Sequence, residues 1–410
     1  MSNDTRPEIR FPGFTEDWEE RKLGQVANYR RGSFPQPYGN KEWYDGENSM
    51  PFVQVVDVGD NLRLVEDTKQ KISELAQPKS VFVEEGKVVV TLQGSIGRVA
   101  ITQYPAYVDR TLLIFESYKA EMDEYYFAYV IQQLFEYEKT RAPGGTIKTI
   151  TKEALSNFTI SFPSIAEQKK LGKFFEQLDD TIALHQRKLD LLKETKKGFL
   201  QKMFPKNGAK VPEVRFPGFT EDWEERKLSE LAEVKTGFPF KNDDFIDGGD
   251  YLVITNGNIQ NNSALVDGNI GNRISAVSDE IKDKYLLNYG DILVTMDGTV
   301  GRTAKVFEKN QILAQRVGRL VANTTPEFLY QWLNTGKFFG DMTKVSHGGT
   351  IKHISLSEIS DFNAFVPVNE DERVKIGSLL LNIDKTITLH QRKLDLLKET
   401  RKGFLQKMFV

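Results

Sequence analysis

The sequence predicts an α+β protein: two tandem mixed α/β domains joined and spaced by two long helices, related by a pseudo-twofold repeat. Three observations predict it. "PEIRFPGFTEDWEERKL" at 7–23 returns as "PEVRFPGFTEDWEERKL" at 212–228. "LHQRKLDLLKETKKGFLQKMF" from Leu184 returns from Leu389 with one change, Lys196 against Arg401. Between these anchors only short signatures match, "GSIGRVA" (94–100) with "GTVGRTA" (298–304) and "GGTIK" (144–148) with "GGTIK" (348–352). A period near 200 residues is a domain duplication, because solenoid repeats run at about 20 to 50 residues.

Each copy therefore reads as a short leading segment, a variable globular region and a long helix. The expected boundaries are 1–164 for the first domain and 165–205 for its helix. The linker and second domain follow at 206–369, and the second helix at 370–410. Runs rich in β-branched residues predict strands at "FVQVVDV" (52–58), "KVVVTL" (87–92), "RVAIT" (98–102) and "TLLIF" (111–115). "YLVITNGN", "DILVTM" and "RTAKVF" are their counterparts in the second copy. Helical spacing puts Phe127, Val130, Ile131 and Leu134 on one face of 124–137, and "PEFLYQWLN" (326–334) reads the same way. Ser355 with Glu358 is a capping box opening a further short helix.

The long helices carry a heptad. Leu178, Ile182, His185, Leu189, Leu192, Lys196 and Phe199 step by fours and threes, as do Ile383, Ile387, His390, Leu394, Leu397, Arg401 and Phe404, within series that run from Leu171 to Met203 and from Ile376 to Met408. A period of 3.5 sustained over more than four heptads predicts a coiled-coil seam. The simplest partner for each helix is the other, antiparallel, with His185, His390, Lys196 and Arg401 fixing register. A helix of about 38 residues is a rod of about 57 Å. Pro205 ends the first copy.

Composition bounds the chemistry. The 410 residues hold no cysteine, which excludes disulfides, thiolate metal sites and cysteine nucleophiles. "MSNDTRPEIRFPGF" has no apolar core of signal length and no run approaches a membrane span, so a cytoplasmic location is expected. "GGTIK" lacks the spacing of a phosphate-cradling loop, and the four histidines form no metal motif. No pair of carboxylates stands at acid–base spacing. The chain reads as a binder, not a catalyst.

Its basic residues are concentrated. From its histidine onward each long helix holds six cations against two carboxylates, in a chain whose net charge is −3. In the variable regions the candidate contacts are Arg30 and Arg31 in "YRRGSF" and Lys235 in "VKTGFPF". The glycine signatures add Gln93, Ser95 and Arg98 in the first copy, and Asp297, Thr299 and Arg302 in the second. "GGTIK" adds Thr146 and Lys148, then Thr350 and Lys352, with backbone N–H groups suited to phosphate. A hairpin that merely closes a sheet would use the same glycines.

Taken together, the tandem "W-E-x-R-K-L" starts (Trp18–Leu23, Trp223–Leu228), the "G-[ST]-[IV]-G-R" loops, the "GGTIK" segments and the near-identical helices resemble the specificity subunit of type I restriction-modification systems. The resemblance spans essentially the whole chain. It implies two target recognition domains, each reading one half of a bipartite double-stranded DNA site. The helices would form an antiparallel coiled coil that spaces them and docks two methyltransferase subunits, with two restriction subunits joining. It also implies no catalytic centre, metal or cofactor on this chain; S-adenosylmethionine, ATP and Mg belong to the partners. Since the two variable regions share little, the implied target is asymmetric. Arg98 and Arg302 would then face guanine, Gln93 adenine, and Asp297 either cytosine N4 or its own turn. The alternative is a coiled-coil scaffold for protein interactions without DNA specificity, which would show no salt-dependent DNA affinity.

Overall fold

A computed structural model describes residues 6–59, 61–141, 152–206, 208–260, 263–275 and 277–409. The chain resolves into two compact units. One comprises Met1–Arg187 with Arg392–Val410, the other Lys188–Gln391. The long helices, Ile165–Lys202 and Glu370–Met408, are each divided between the two units.

In the first unit two sheets lie back to back. One runs Ala27–Arg31, Leu112–Tyr118, Val88–Thr91, Val99–Ile101, Leu62–Arg63 among the described residues, and the other Gln70–Ile72, Met50–Val53, Ala106–Val108, Val81–Val83. The alternation of a strand sorts its side chains. Val88 and Val90 enter the core beneath the helix Glu124–Arg141, while Val89 enters the core between the sheets. The second unit repeats this, with Ile292 and Val294 on one side of Ile292–Thr295 and Leu293 on the other. Strands buried on both faces explain why these runs are continuously apolar.

Two expected strands are shorter than their sequence. "FVQVVDV" ends as a strand at Val53, and Val55–Asp57 is a 3₁₀ turn. The corresponding "YLVITNGN" ends at Ile254, with Asn256–Asn258 as the turn. Side chains force the break: Asp57 Oδ2 accepts from the Gln54 N–H at 2.8 Å, and Asn258 Oδ1 from the Thr255 N–H at 2.9 Å. Such local bonds compete with the ladder for the same backbone groups. The Ser355–Glu358 capping box is present.

The duplicated leading segments are structural clasps. Arg10 grips Glu167 through two bonds of 2.7 Å, and Arg215 grips Glu372 at 2.6 and 2.8 Å. Both carboxylates are buried, Glu372 completely. Each glutamate stands in the first turn of a long helix, where the positive end of the helix dipole adds to the attraction. Trp18 and Trp223 are buried, and the strands that follow them, Glu19–Lys22 and Glu224–Lys227, pair with Thr159–Phe162 and Asn363–Val366.

Within the first unit the end of the second long helix completes the core. Leu405 and Met408 are buried there, and Phe409 stacks on Tyr126 at 5.6 Å. In the second unit the end of the first long helix does the same, with Met203 and Phe204 against Trp223 and Phe328. The fourteen heptad residues from Leu178 to Phe199 and from Ile383 to Phe404 are buried or half-buried, whereas Leu184, Leu191, Leu389 and Leu396 are exposed.

The single difference between the two 21-residue copies lies at a partly buried ion pair. Arg401 forks onto Asp179, reaches Gln132 at 3.3 Å and lies over the Tyr129 ring. Lys196 meets Asp384 at 2.7 Å, where Gln331 also donates to the same carboxylate. A planar guanidinium fits the two-acceptor, aromatic setting, whereas a point charge suffices for one carboxylate. Arg401→Lys is therefore expected to cost about 1–2 kcal/mol. Lys196→Arg should change stability by less than about 0.5 kcal/mol. Urea unfolding of the two variants measures both, and equal costs would refute the asymmetry.

Candidate nucleic-acid interface

The glycine signatures are hairpin loops. "TLQGSIGR" joins Val88–Thr91 to the antiparallel Val99–Ile101, and "TMDGTVGR" joins Ile292–Thr295 to Thr303–Lys305. Their glycines are required by conformation, for Gly94, Gly97, Gly298 and Gly301 all have φ between 66° and 82°. A Cβ on Gly97 would also lie 2.7 Å from Phe135, and one on Gly301 2.8 Å from Met342. The threonine before each loop ties it off: Thr91 Oγ1 donates to the Ser95 carbonyl, and Thr295 Oγ1 to that of Thr299 at 2.6 Å. The loop tips, Gln93 and Ser95 or Thr299, are left exposed.

The arginines that close the signatures are less available. Arg98 is half-buried and its guanidinium donates to the Val58 carbonyl at 3.2 Å. Arg302 is half-buried as well, and its N–H donates to Thr295 Oγ1. The Arg98 bond ties the end of the hairpin to the segment at Val58. Arg30 is exposed and ion-paired to Glu116 at 2.6 Å, Arg31 is exposed beside it, and Lys235 pairs with Glu233 at 2.8 Å.

In the second unit the two signatures, fifty residues apart in sequence, are neighbours in space. Gly298 N–H donates to the Lys352 carbonyl at 2.8 Å, and Ile354 N–H to that of Met296. Asp297 Oδ1 bonds His353 Nδ1 at 2.8 Å and stands 3.8 Å from Arg316 Nη1. Met296 N–H donates to Asn256 Oδ1, drawing the 3₁₀ turn into the same cluster. Asp297 therefore organises a cluster with two cationic or protonatable neighbours. Lys352 curls back to the Gly348 carbonyl at 3.2 Å, and Thr350 is exposed. Thr146 and Lys148 lie outside the described residues.

Sequence reasoning missed Asn256, Arg316 and His353. His353 had a usable signal, standing directly after the repeated "GGTIK". Arg316 had none, because its neighbours "AQR" match nothing in the first copy. Among the described residues no helix is long and apolar enough to cross a membrane.

A duplicated domain is also what comparison with known proteins finds. A family model described as the type I restriction modification DNA specificity domain matches residues 15–194 and again 220–399. The chain belongs to that family. A specificity subunit of the type I restriction enzyme MjaVIII from Methanocaldococcus jannaschii is 22% identical, with 97% of this chain and 92% of that protein covered. The EcoBI specificity subunit of Escherichia coli is also 22% identical, over 86% of this chain and 76% of that one. The fold matches the crystal structure of a type I restriction-modification S subunit from M. genitalium with a TM-score of 0.69 at 15% identity, covering 99% of both chains. In this member of the specificity family the exposed hairpin tips carry Gln93 and Ser95 in one domain and Thr299 in the other.

Proposed function

We propose that this chain is the DNA-reading subunit of a type I restriction-modification complex, in which each domain reads one half of an asymmetric bipartite site. The observation that carries the reading is a repeated scaffold, with the same clasp and hairpin hydrogen bonds in both copies, whose exposed loops differ. Identical clasps, hairpins and helix ends hold Gln93 and Ser95 in one copy where Asp297 and Thr299 stand in the other. A protein that bound one ligand twice would have no reason to keep its clasps and helices while the regions between them diverged. Lysines and arginines would set the register on phosphates, and a few side chains per domain would read major-groove edges.

The long helices would pair antiparallel as a coiled coil and set the unread spacer between the half-sites. The ion pairs support this register, since each joins the early part of one helix to the late part of the other. The same register sets exposed Leu184 level with Leu396, and exposed Leu191 level with Leu389. Two equivalent apolar pairs on near-identical sequence suit two copies of one partner, the methyltransferase subunit, with restriction subunits joining outside them. In this reading the chain works in the cytoplasm, has no catalytic centre and binds no cofactor. S-adenosylmethionine, ATP and Mg act in the partner subunits.

Single-molecule methylome sequencing of cells expressing the chain with its methyltransferase partner tests the reading. The expected result is a split, asymmetric motif with N6-methyladenine on both strands, lost when this chain is omitted. Assembly of the complex without any such motif would sink it. In the same cells Leu184→Asp with Leu396→Asp should reduce co-purification of the partner.

A further inference from the structure

Both domains contain one corner built on the same backbone. In the first, Met50–Val53 runs parallel to Ala106–Val108 with Val53 opposite Val108. In the second, Tyr251–Ile254 runs parallel to Gln311–Leu313 with Ile254 opposite Leu313. Beyond these residues the first strand of each pair enters its 3₁₀ turn. The second strand is tied back at once, Asp109 N–H donating to Val53 O and Ala314 N–H to Ile254 O, both at 3.0 Å. A third segment crosses so closely that only glycine fits. A Cβ on Gly32 would lie 2.2 Å from the Val108 carbonyl oxygen, and one on Gly237 2.3 Å from that of Leu313. The frame is the same in both domains.

The side chains on the frame are not. The turn carries Gln54-Val55-Val56 in one domain and Thr255-Asn256-Gly257 in the other. The tied strand continues as Asp109-Arg110-Thr111 in one and Ala314-Gln315-Arg316 in the other. In the first domain the corner opens into a cleft of about 490 Å³ bordered by Tyr38, Gln54, Lys69, Gln70 and Arg110. Asp109 takes the Tyr38 hydroxyl at 2.6 Å, and exposed Arg110 lies over the Tyr38 ring at 5.0 Å. In the second domain Arg316 occupies the corner with φ 72°, a left-handed conformation that arginine rarely adopts. Its side chain is 55% exposed, 3.8 Å from the Asp297 carboxylate that His353 holds. Strain in an exposed residue that no core needs is a signature of function. A guanidinium aimed by a carboxylate or an aromatic ring keeps its remaining N–H donors in a fixed fork, the geometry that matches guanine O6 and N7.

Building on the DNA-reading role above, we propose that this corner is where each domain chooses its bases. Arg316 is the specificity-determining side chain of the second domain and Arg110 that of the first, each presented to a guanine edge. The hairpin tips lie alongside, since a Cβ on Gly94 would touch Val55 at 3.5 Å and Asp297 of the second hairpin stands 3.8 Å from Arg316.

The test is methylome sequencing with the assembled complex carrying Arg316→Ala or Arg110→Ala. Arg316→Ala is expected to relax one G·C position in one half-site, by about tenfold or more in preference, and to leave the other half-site unchanged. Arg110→Ala should do the converse. Arg316→Gly separates recognition from folding, because glycine relieves the left-handed conformation: melting temperature should hold or rise while the same position relaxes. Unchanged letters in both half-sites would overturn the assignment. So would methylation that falls uniformly with every letter kept, which is the behaviour of a phosphate contact. A wild-type complex that methylates no split motif overturns the DNA-reading role itself, and the assignment with it.

Discussion

Ending the chain at Gly403 is expected to cost the first unit about 6 kcal/mol or more, enough to leave it largely unfolded. The lost segment buries Leu405 and Met408 and packs Phe404 and Phe409 against Phe174, Tyr126, Trp18 and Phe175. Burial of an apolar side chain of this size is worth about 1.5–3 kcal/mol each. A domain holds only about 5–15 kcal/mol in total. The second unit takes its equivalent residues, Met203 and Phe204, from the other helix and should be untouched. Calorimetry should therefore show one transition lost and one retained. Loss of both, or of neither, would contradict the division of the helices between the units.

Arg215→Ala should have the next largest effect, lowering the stability of the second unit by about 3–5 kcal/mol. The cost comes from what remains. Glu372 is completely buried, and its carboxylate would be left without the two bonds that now solvate it. Arg215→Lys can restore one point contact but not the fork, so it should recover part of the loss. Combining Arg215→Ala with Glu372→Met should recover more, because an apolar side chain needs no partner there. Guanidinium unfolding of the three variants checks the order; an Arg215→Ala chain within 1 kcal/mol of the parent would refute it.

Much of the architecture was legible because repetition and periodicity report on the backbone. The β-branched runs correspond to strands in both units, and the capping box at Ser355 to a helix start in the second. The strand at Phe52 was read too long because Asp57, four residues past Val53, bonds back onto the turn, and hydrophobicity alone does not register that. The leading segments read as family marks, yet their physical task, arginine to buried glutamate across 157 residues, joins positions no local pattern connects. The reading corner was invisible for a different reason. Comparing the two copies finds letters that agree, and letters that agree make the frame. Arg110 and Arg316 stand where the copies disagree, and only the shared backbone reveals that they occupy related places.

The division of the helices also sets an order of events on the ribosome. The second unit, Lys188–Gln391, is continuous, so everything it needs has been synthesised by the time its last residue emerges. The first unit is not. Its opening 187 residues must wait for Arg392–Val410, which at about 5–20 residues per second is a delay of about 10–40 s. Throughout that interval the surface formed by Trp18, Tyr126 and Phe175 has no cover, so the half of the protein made first is the half finished last.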